Sequence, residues 1–144
     1  IQMWLTPRRR GLTPNYGSSQ GSADKRRNQF HHMVSDVDNV DVQTDVKINT
    51  DANMYATEME PSQSLSFEVR ENRQAYVLCV EGQTNVLNEN ATEEESRAIV
   101  LDRHDSSEIV GPMKVTFQTN DDTSTHLLVV EMAYDHSNSG RTDL

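Results

Sequence analysis

The side chains of this chain that could do chemistry are five histidines, a single cysteine and several clustered acids. The histidines are His31, His32, His104, His126 and His136. On a strand, neighbouring residues point to opposite faces, so His31 and His32 are poorly placed to bind one metal together. His126 opens an apolar run and His136 sits in a polar tail, so both read as surface or end-of-strand residues. His104-Asp105-Ser106 has the residue types of a hydrolase triad. Sequence neighbours cannot relay a proton among themselves in that geometry, and no glycine pattern forms a nucleophile elbow around the serine. Asp36, Asp38 and Asp41 suggest a calcium loop, but the glycine of the sharp turn and the closing glutamate are missing. Cys79 lies in an apolar run without a nearby cation to lower its pKa, which predicts an inert core thiol. Neither a phosphate-binding glycine loop nor a dinucleotide fingerprint is present. The few aromatics are not interleaved with basic residues as on a single-strand nucleic-acid platform.

The elements that would have to position any site are strands. Leu65, Phe67 and Val69 alternate with Ser64, Ser66 and Glu68, and Met113, Val115 and Phe117 alternate with Lys114, Thr116 and Gln118. Period two places each apolar set on one face of a sheet. Ala75–Val80 and Leu127–Val130 are apolar throughout, which predicts strands covered on both sides. Further strands are expected at Ile1–Leu5, Asn28–Val34, Val46–Ile48, Met54–Thr57, Thr84–Leu87, Ala98–Leu101 and Glu108–Val110. Turns fall at Pro61, Gly82, Asn88–Glu95 and Asn120–Thr123. One helix candidate, Thr92 to Glu95, has a cap residue and an acidic first turn but little apolar face. Many short strands at near-regular spacing predict an all-β sandwich or barrel. Residues 1–27, broken by Pro7, Gly11 and Pro14, read as an arm, residues 28–134 as the barrel, and residues 135–144 as a disordered tail.

The 144 residues suit one domain. The apolar fraction is only 34%, but it gathers in short runs between residues 45 and 133, as it does in a folding chain. The net charge of −10 conceals an asymmetry. Arg8, Arg9, Arg10, Lys25, Arg26 and Arg27 face only Asp24 within residues 1–30, so the body is more acidic than the total. Such a body repels nucleic acid and anionic membranes, and the basic stretch is expected to pack on acidic parts of its own parent protein. A lone cysteine excludes an internal disulfide and fits a reducing, intracellular compartment, cytoplasmic or nuclear. No apolar run reaches the length of a membrane span and no signal peptide is visible. Asn90-Ala91-Thr92 is a formal glycosylation acceptor, a pattern too short to carry weight. A first residue of Ile rather than Met leads us to expect a fragment or a processed product.

Two stretches carry identity. Ile1-Gln2-Met3-Trp4-Leu5 with Arg10-Gly11-Leu12-Thr13-Pro14-Asn15-Tyr16 resembles the segment that joins the two cupin domains of pirin and bacterial pirin-like proteins. Asp51 to Ser64 resembles that family's strand-turn-strand, with Ser62 in place of the usual turn glycine. Ala75 to Gly82 is similar to the strand and turn that close the cupin motif, and Thr125 to Met132 to the final strand. The resemblance implies a double-stranded β-helix, the jelly-roll barrel called a cupin.

It also implies a division of labour. Pirin-like proteins hold one metal, commonly iron, through three His and one Glu in their N-terminal cupin, and none of those positions maps onto this chain. In the second cupin, the generic ligand positions fall near Glu68, Arg70 and Gln74, or, one residue earlier, on Phe67 and Val69. Neither register supplies His-x-His, and His104 stands alone near the fourth position. The resemblance therefore implies no catalytic residue, cofactor or metal in this chain. It implies a non-catalytic C-terminal cupin that packs on and shapes a metal-bearing N-terminal partner. The parent would be a quercetin dioxygenase-like enzyme or a nuclear transcription cofactor. Trp4, Arg10, Leu12, Pro14 and Tyr16 are the expected interdomain or self-association contacts. The alternative is an autonomous small-ligand or protein-binding cupin. It predicts a hollow polar interior, whereas the first reading allows a core filled by Leu65, Phe67, Val77 and Val115.

Overall fold

The computed structural model describes residues 1–92 and 98–134. Glu93 to Glu95 of the helix candidate, His136 and the expected tail at 135–144 lie outside them. Ten strands follow one short helix: α1 (Ala23–Arg26), β1 (His31–Asp36), β2 (Val46–Ile48), β3 (Ala52–Met59), β4 (Ser64–Val69), β5 (Arg73–Glu81), β6 (Gln83–Asn88), β7 (Ile99–Asp102), β8 (Ser106–Val110), β9 (Met113–Gln118) and β10 (Thr125–Ala133). They form a six-stranded sheet in the order β2-β1-β3-β10-β5-β8 and a four-stranded sheet in the order β4-β9-β6-β7. Among the strands of the described residues, only β1 and β2 pair in parallel. The two sheets stay open and face each other as a jelly-roll sandwich. Among the described residues, no helix is long and apolar enough to cross a membrane.

Period two decides which residues meet between the sheets. Val69 of β4, Val77 and Cys79 of β5, Val115 and Phe117 of β9, and Leu127 and Val129 of β10 are all buried in one cluster. Leu65 and Phe67 are only partly buried and pack against it. Phe117 is the largest side chain fully enclosed, and burial of such a group stabilises the fold by roughly 1.5–3 kcal/mol. Gly82 turns β5 into β6 at φ +79°, where a Cβ would run into the Ser124 carbonyl. Ser62 takes over the glycine conformation at its turn, with φ 58°. Its backbone N donates to Asn120 O at 3.0 Å and its hydroxyl to Asp121 at 2.7 Å, which offsets the strain.

Four expectations need correction. Ile1–Leu5 is not a strand, because it pairs with no strand edge. The strand expected at Asn28–Val34 starts later, at His31, because Asn28 adopts φ 52° and breaks the extended run. The helical turn Ala23–Arg26 lies in the arm, where none was expected. Ala75–Val80 is fully covered on one side only: Ala75, Val77 and Cys79 are buried, whereas on the other face Leu78 and Val80 are half-buried and Tyr76 is 45% exposed. A run apolar on both faces does not say whether a second layer lies over it.

Candidate functional site

The interior of the sandwich changes character along its length. Toward one end of β3 and β10, Met59, Thr57 and Leu127 are enclosed. Toward the other end the inward side chains are Tyr55, Asn53 and Glu131, with Asn53 directly opposite Glu131. There the sheets part around a cavity of about 550 Å³. Its walls are His32 of β1, Asn53 and Tyr55 of β3, Phe67 of β4, Arg73 of β5 and Glu131 of β10, and its rim includes Arg70 and Glu68. Asn39 and Val42, from the connection between β1 and β2, close one side.

The floor is a connected polar network. Arg73 donates from Nε to Glu131 Oε1, from Nη2 to Glu131 Oε2 at 2.9 Å, and from Nη1 to Asp51 at 2.7 Å. Asn53 Nδ2 donates to Glu131 Oε2 at 2.7 Å, and Asn53 Oδ1 lies 3.0 Å from His32 Nε2. Hydrogen bonding to Glu131 raises the Arg73 pKa against the opposing effect of burial, so the guanidinium stays charged. Burial outweighs the Asn53 contact at His32 and lowers its pKa, which favours neutral imidazole. The ring stacks on Tyr55 with centroids 4.3 Å apart, and Tyr55 meets Phe67 edge-on at 5.3 Å. Burial raises the Tyr55 pKa and keeps it a phenol.

The strand register decides which of the two residue sets on β4 faces the interior. Leu65, Phe67 and Val69 are the inward set of β4, and Val69 is fully buried; Glu68 and Arg70 are exposed. The earlier of the two registers therefore faces the interior, and the same shift carries the third position from Gln74 to Arg73. Two apolar side chains and a guanidinium cannot ligate a divalent cation. His104 is exposed in the turn between β7 and β8 at φ 75°, with its backbone N on Cys79 O at 2.7 Å, and it does not line the cavity. No group of three or more His, Cys, Asp or Glu residues is placed to hold a metal among the described residues.

The remaining sequence candidates are dispersed. His31 Nε2 is 3.8 Å from Asp45, and its buried Nδ1 has no partner. His126 is half-buried on the other face of β10. The Arg8 guanidinium spans Asp36 and Asp38, so two of the three acids of the suspected calcium loop already pair with an arginine of the arm. Burial pushes the Cys79 thiol up to about 11. Of the arm residues, Trp4, Arg10, Leu12 and Pro14 line one hollow against Ile48–Thr50, while Tyr16 stands apart from it. The arm is strapped to the body by Arg8 N on Asn49 O at 3.0 Å, Thr50 Oγ1 on Thr6 O at 2.8 Å and Ser19 Oγ on Asp45 at 2.6 Å. Even so, Trp4 remains 89% and Tyr16 91% exposed.

Sequence reasoning did not find the His32, Asn53, Tyr55, Arg73 and Glu131 set. It comes from four strands, and no local spacing links them. The available signal was Glu131, a charge inside the apolar run that ends β10.

Two facing sheets in this order define the cupin type of jelly-roll sandwich. Residues 37–132 match the model of the quercetinase C-terminal cupin domain, and the chain belongs to that family. Among solved structures it is similar to YhhW from Escherichia coli, with a TM-score of 0.72 and 14% identity over 92% of this chain and 49% of that one. YhhW described as a bacterial pirin in complex with nickel(II) gives a TM-score of 0.68, with the same identity and coverage. A putative ethanolamine utilization protein Q from Salmonella typhimurium LT2 gives 0.51 and 14% identity, over 74% of this chain and 69% of that one. This chain thus spans about half of YhhW. No curated protein sequence matches it.

Proposed function

We propose that this chain is the non-catalytic cupin half of a two-domain pirin-like protein, and that it packs on and shapes a metal-bearing N-terminal cupin. The observation that carries the reading is the arm. It is strapped to the body by several hydrogen bonds, yet it holds Trp4 and Tyr16 almost wholly in solvent. A Trp covers roughly 150–250 Å² when packed, so a fixed segment that presents one outward is a surface prepared for a partner. Arg10 is exposed beside Leu12 and Pro14 in the same hollow and supplies a polar rim. Interior positions Phe67, Val69 and Arg73 leave metal chemistry to the companion domain. The parent's reaction, as a quercetin dioxygenase-like enzyme or otherwise, belongs with that domain. An acidic body and a buried thiol suit an intracellular protein that binds neither nucleic acid nor membrane directly.

The test is to co-express this chain with the cupin domain encoded upstream of it, and to measure association by sedimentation. A one-to-one complex that Trp4→Ala and Tyr16→Ala weaken by tenfold or more is expected. Two domains that sediment independently, or a complex indifferent to both substitutions, would overturn the reading.

A further inference from the structure

We propose that the cavity between the sheets is a binding site for a small organic acid, a monocarboxylate carrying one planar ring. This inference is independent of the companion-domain reading, because it needs only this chain's own residues. The volume of about 550 Å³ falls within the roughly 300–1,000 Å³ typical of small-molecule sites. One wall is aromatic: Phe67 and Tyr55 meet edge to face, with His32 stacked behind Tyr55. Such a wall takes a ring by offset or edge contact.

The polar part decides the charge of the ligand. Two arginines and three carboxylates line the cavity, so a bare count favours a cation. Their partners reverse that. Arg73 is committed to Glu131 and Asp51, and Glu131 also accepts from Asn53. Glu68 belongs to the exposed set of β4 at the cavity rim, across the strand pair from a Lys114 that is itself paired with Glu89 at 2.7 Å. Arg70 makes no ion pair with any described residue, and the Tyr55 hydroxyl makes no hydrogen bond with one. Both groups donate hydrogen bonds, so the ligand must bring acceptors. A carboxylate on the Arg70 guanidinium, with the ring laid against Phe67 and the Tyr55 hydroxyl donating to the same carboxylate or to a ring substituent, satisfies both. Burial keeps His32 neutral, so the stacked wall adds no charge of its own.

The experiment titrates the isotopically labelled full chain by nuclear magnetic resonance with benzoate as the probe, and with benzamidine and benzyl alcohol as cationic and neutral counterparts of the same ring. Saturable benzoate shifts centred on Tyr55, Phe67 and Arg70 are expected, with benzamidine and benzyl alcohol at least about tenfold weaker. Arg70→Gln should weaken benzoate about tenfold, and Tyr55→Phe by a smaller factor, while both spectra stay as dispersed as that of the parent chain. Arg103→Gln, which removes an exposed partner of Glu81 away from the cavity, should leave binding unchanged. Benzamidine binding more tightly than benzoate would overturn the proposal. So would benzoate shifts that do not saturate at millimolar concentration, or binding that survives Arg70→Gln.

Discussion

Arg73 joins the first residue of β5 to Glu131 of β10 through two parallel hydrogen bonds, Nε to Oε1 and Nη2 to Oε2. With Arg73 20% and Glu131 12% exposed, the pair is largely shielded from the screening that makes surface ion pairs weak. Arg73→Met strands Glu131 and should cost about 1–3 kcal/mol. Arg73→Met with Glu131→Leu should recover part of that loss, since the orphaned carboxylate goes too. Urea unfolding of the two variants measures both, and an Arg73→Met midpoint equal to the parent's would deny the pair any role.

The core has a clear hierarchy. Phe117→Ala removes the largest fully enclosed side chain and should cost about 3–5 kcal/mol. Gly82→Ala forces a Cβ into the Ser124 carbonyl at a positive φ and should cost roughly 1–3 kcal/mol through backbone strain. Thermal melts of the two variants should show the larger loss for Phe117→Ala. A Gly82→Ala protein as stable as the parent would show that the β5–β6 turn can reshape.

Acid should weaken the fold through His32. Its folded pKa is lowered, chiefly by burial, from the ordinary 6.5. The unfolded chain therefore takes up the proton first as pH falls. The contribution is whole above about pH 6.5 and is lost as pH drops through the lower, folded value. His32→Asn should flatten stability across that window, as read from urea midpoints at stepped pH. An unchanged slope would assign the acid sensitivity to another group.

Two natural probes report on surface and core separately. Trp4 is the one tryptophan of the chain, and at 89% exposure it should emit at long wavelength and be quenched freely by iodide. Cys79 is fully buried, with its thiol pushed up to about 11. It should resist thiol reagents at neutral pH until urea unfolds the chain. Rapid labelling of Cys79 in the native protein would contradict the enclosed core.

The alternation of Leu65, Phe67 and Val69, and of Met113, Val115 and Phe117, was enough to place β4 and β9 and to choose their inward faces, because a strand's side-chain period is a property of the backbone itself. The same apolar run at Ala75–Val80 announced β5 but not that only one side would be fully covered, since coverage depends on what lies over the sheet. The absence of a His-x-His pair was legible from residue types alone. Which register faced inward was not, and the pairing of β4 with β9 decided it by turning Val69 into the core and Arg70 out of it. The arm motif marked Trp4 and Tyr16 as contact residues, while their exposure on a strapped segment is a tertiary fact. The cavity was hidden altogether. His32, Asn53, Tyr55, Phe67, Arg73 and Glu131 come from five strands, and only the packing of two open sheets brings them within hydrogen-bond and ring-contact distance.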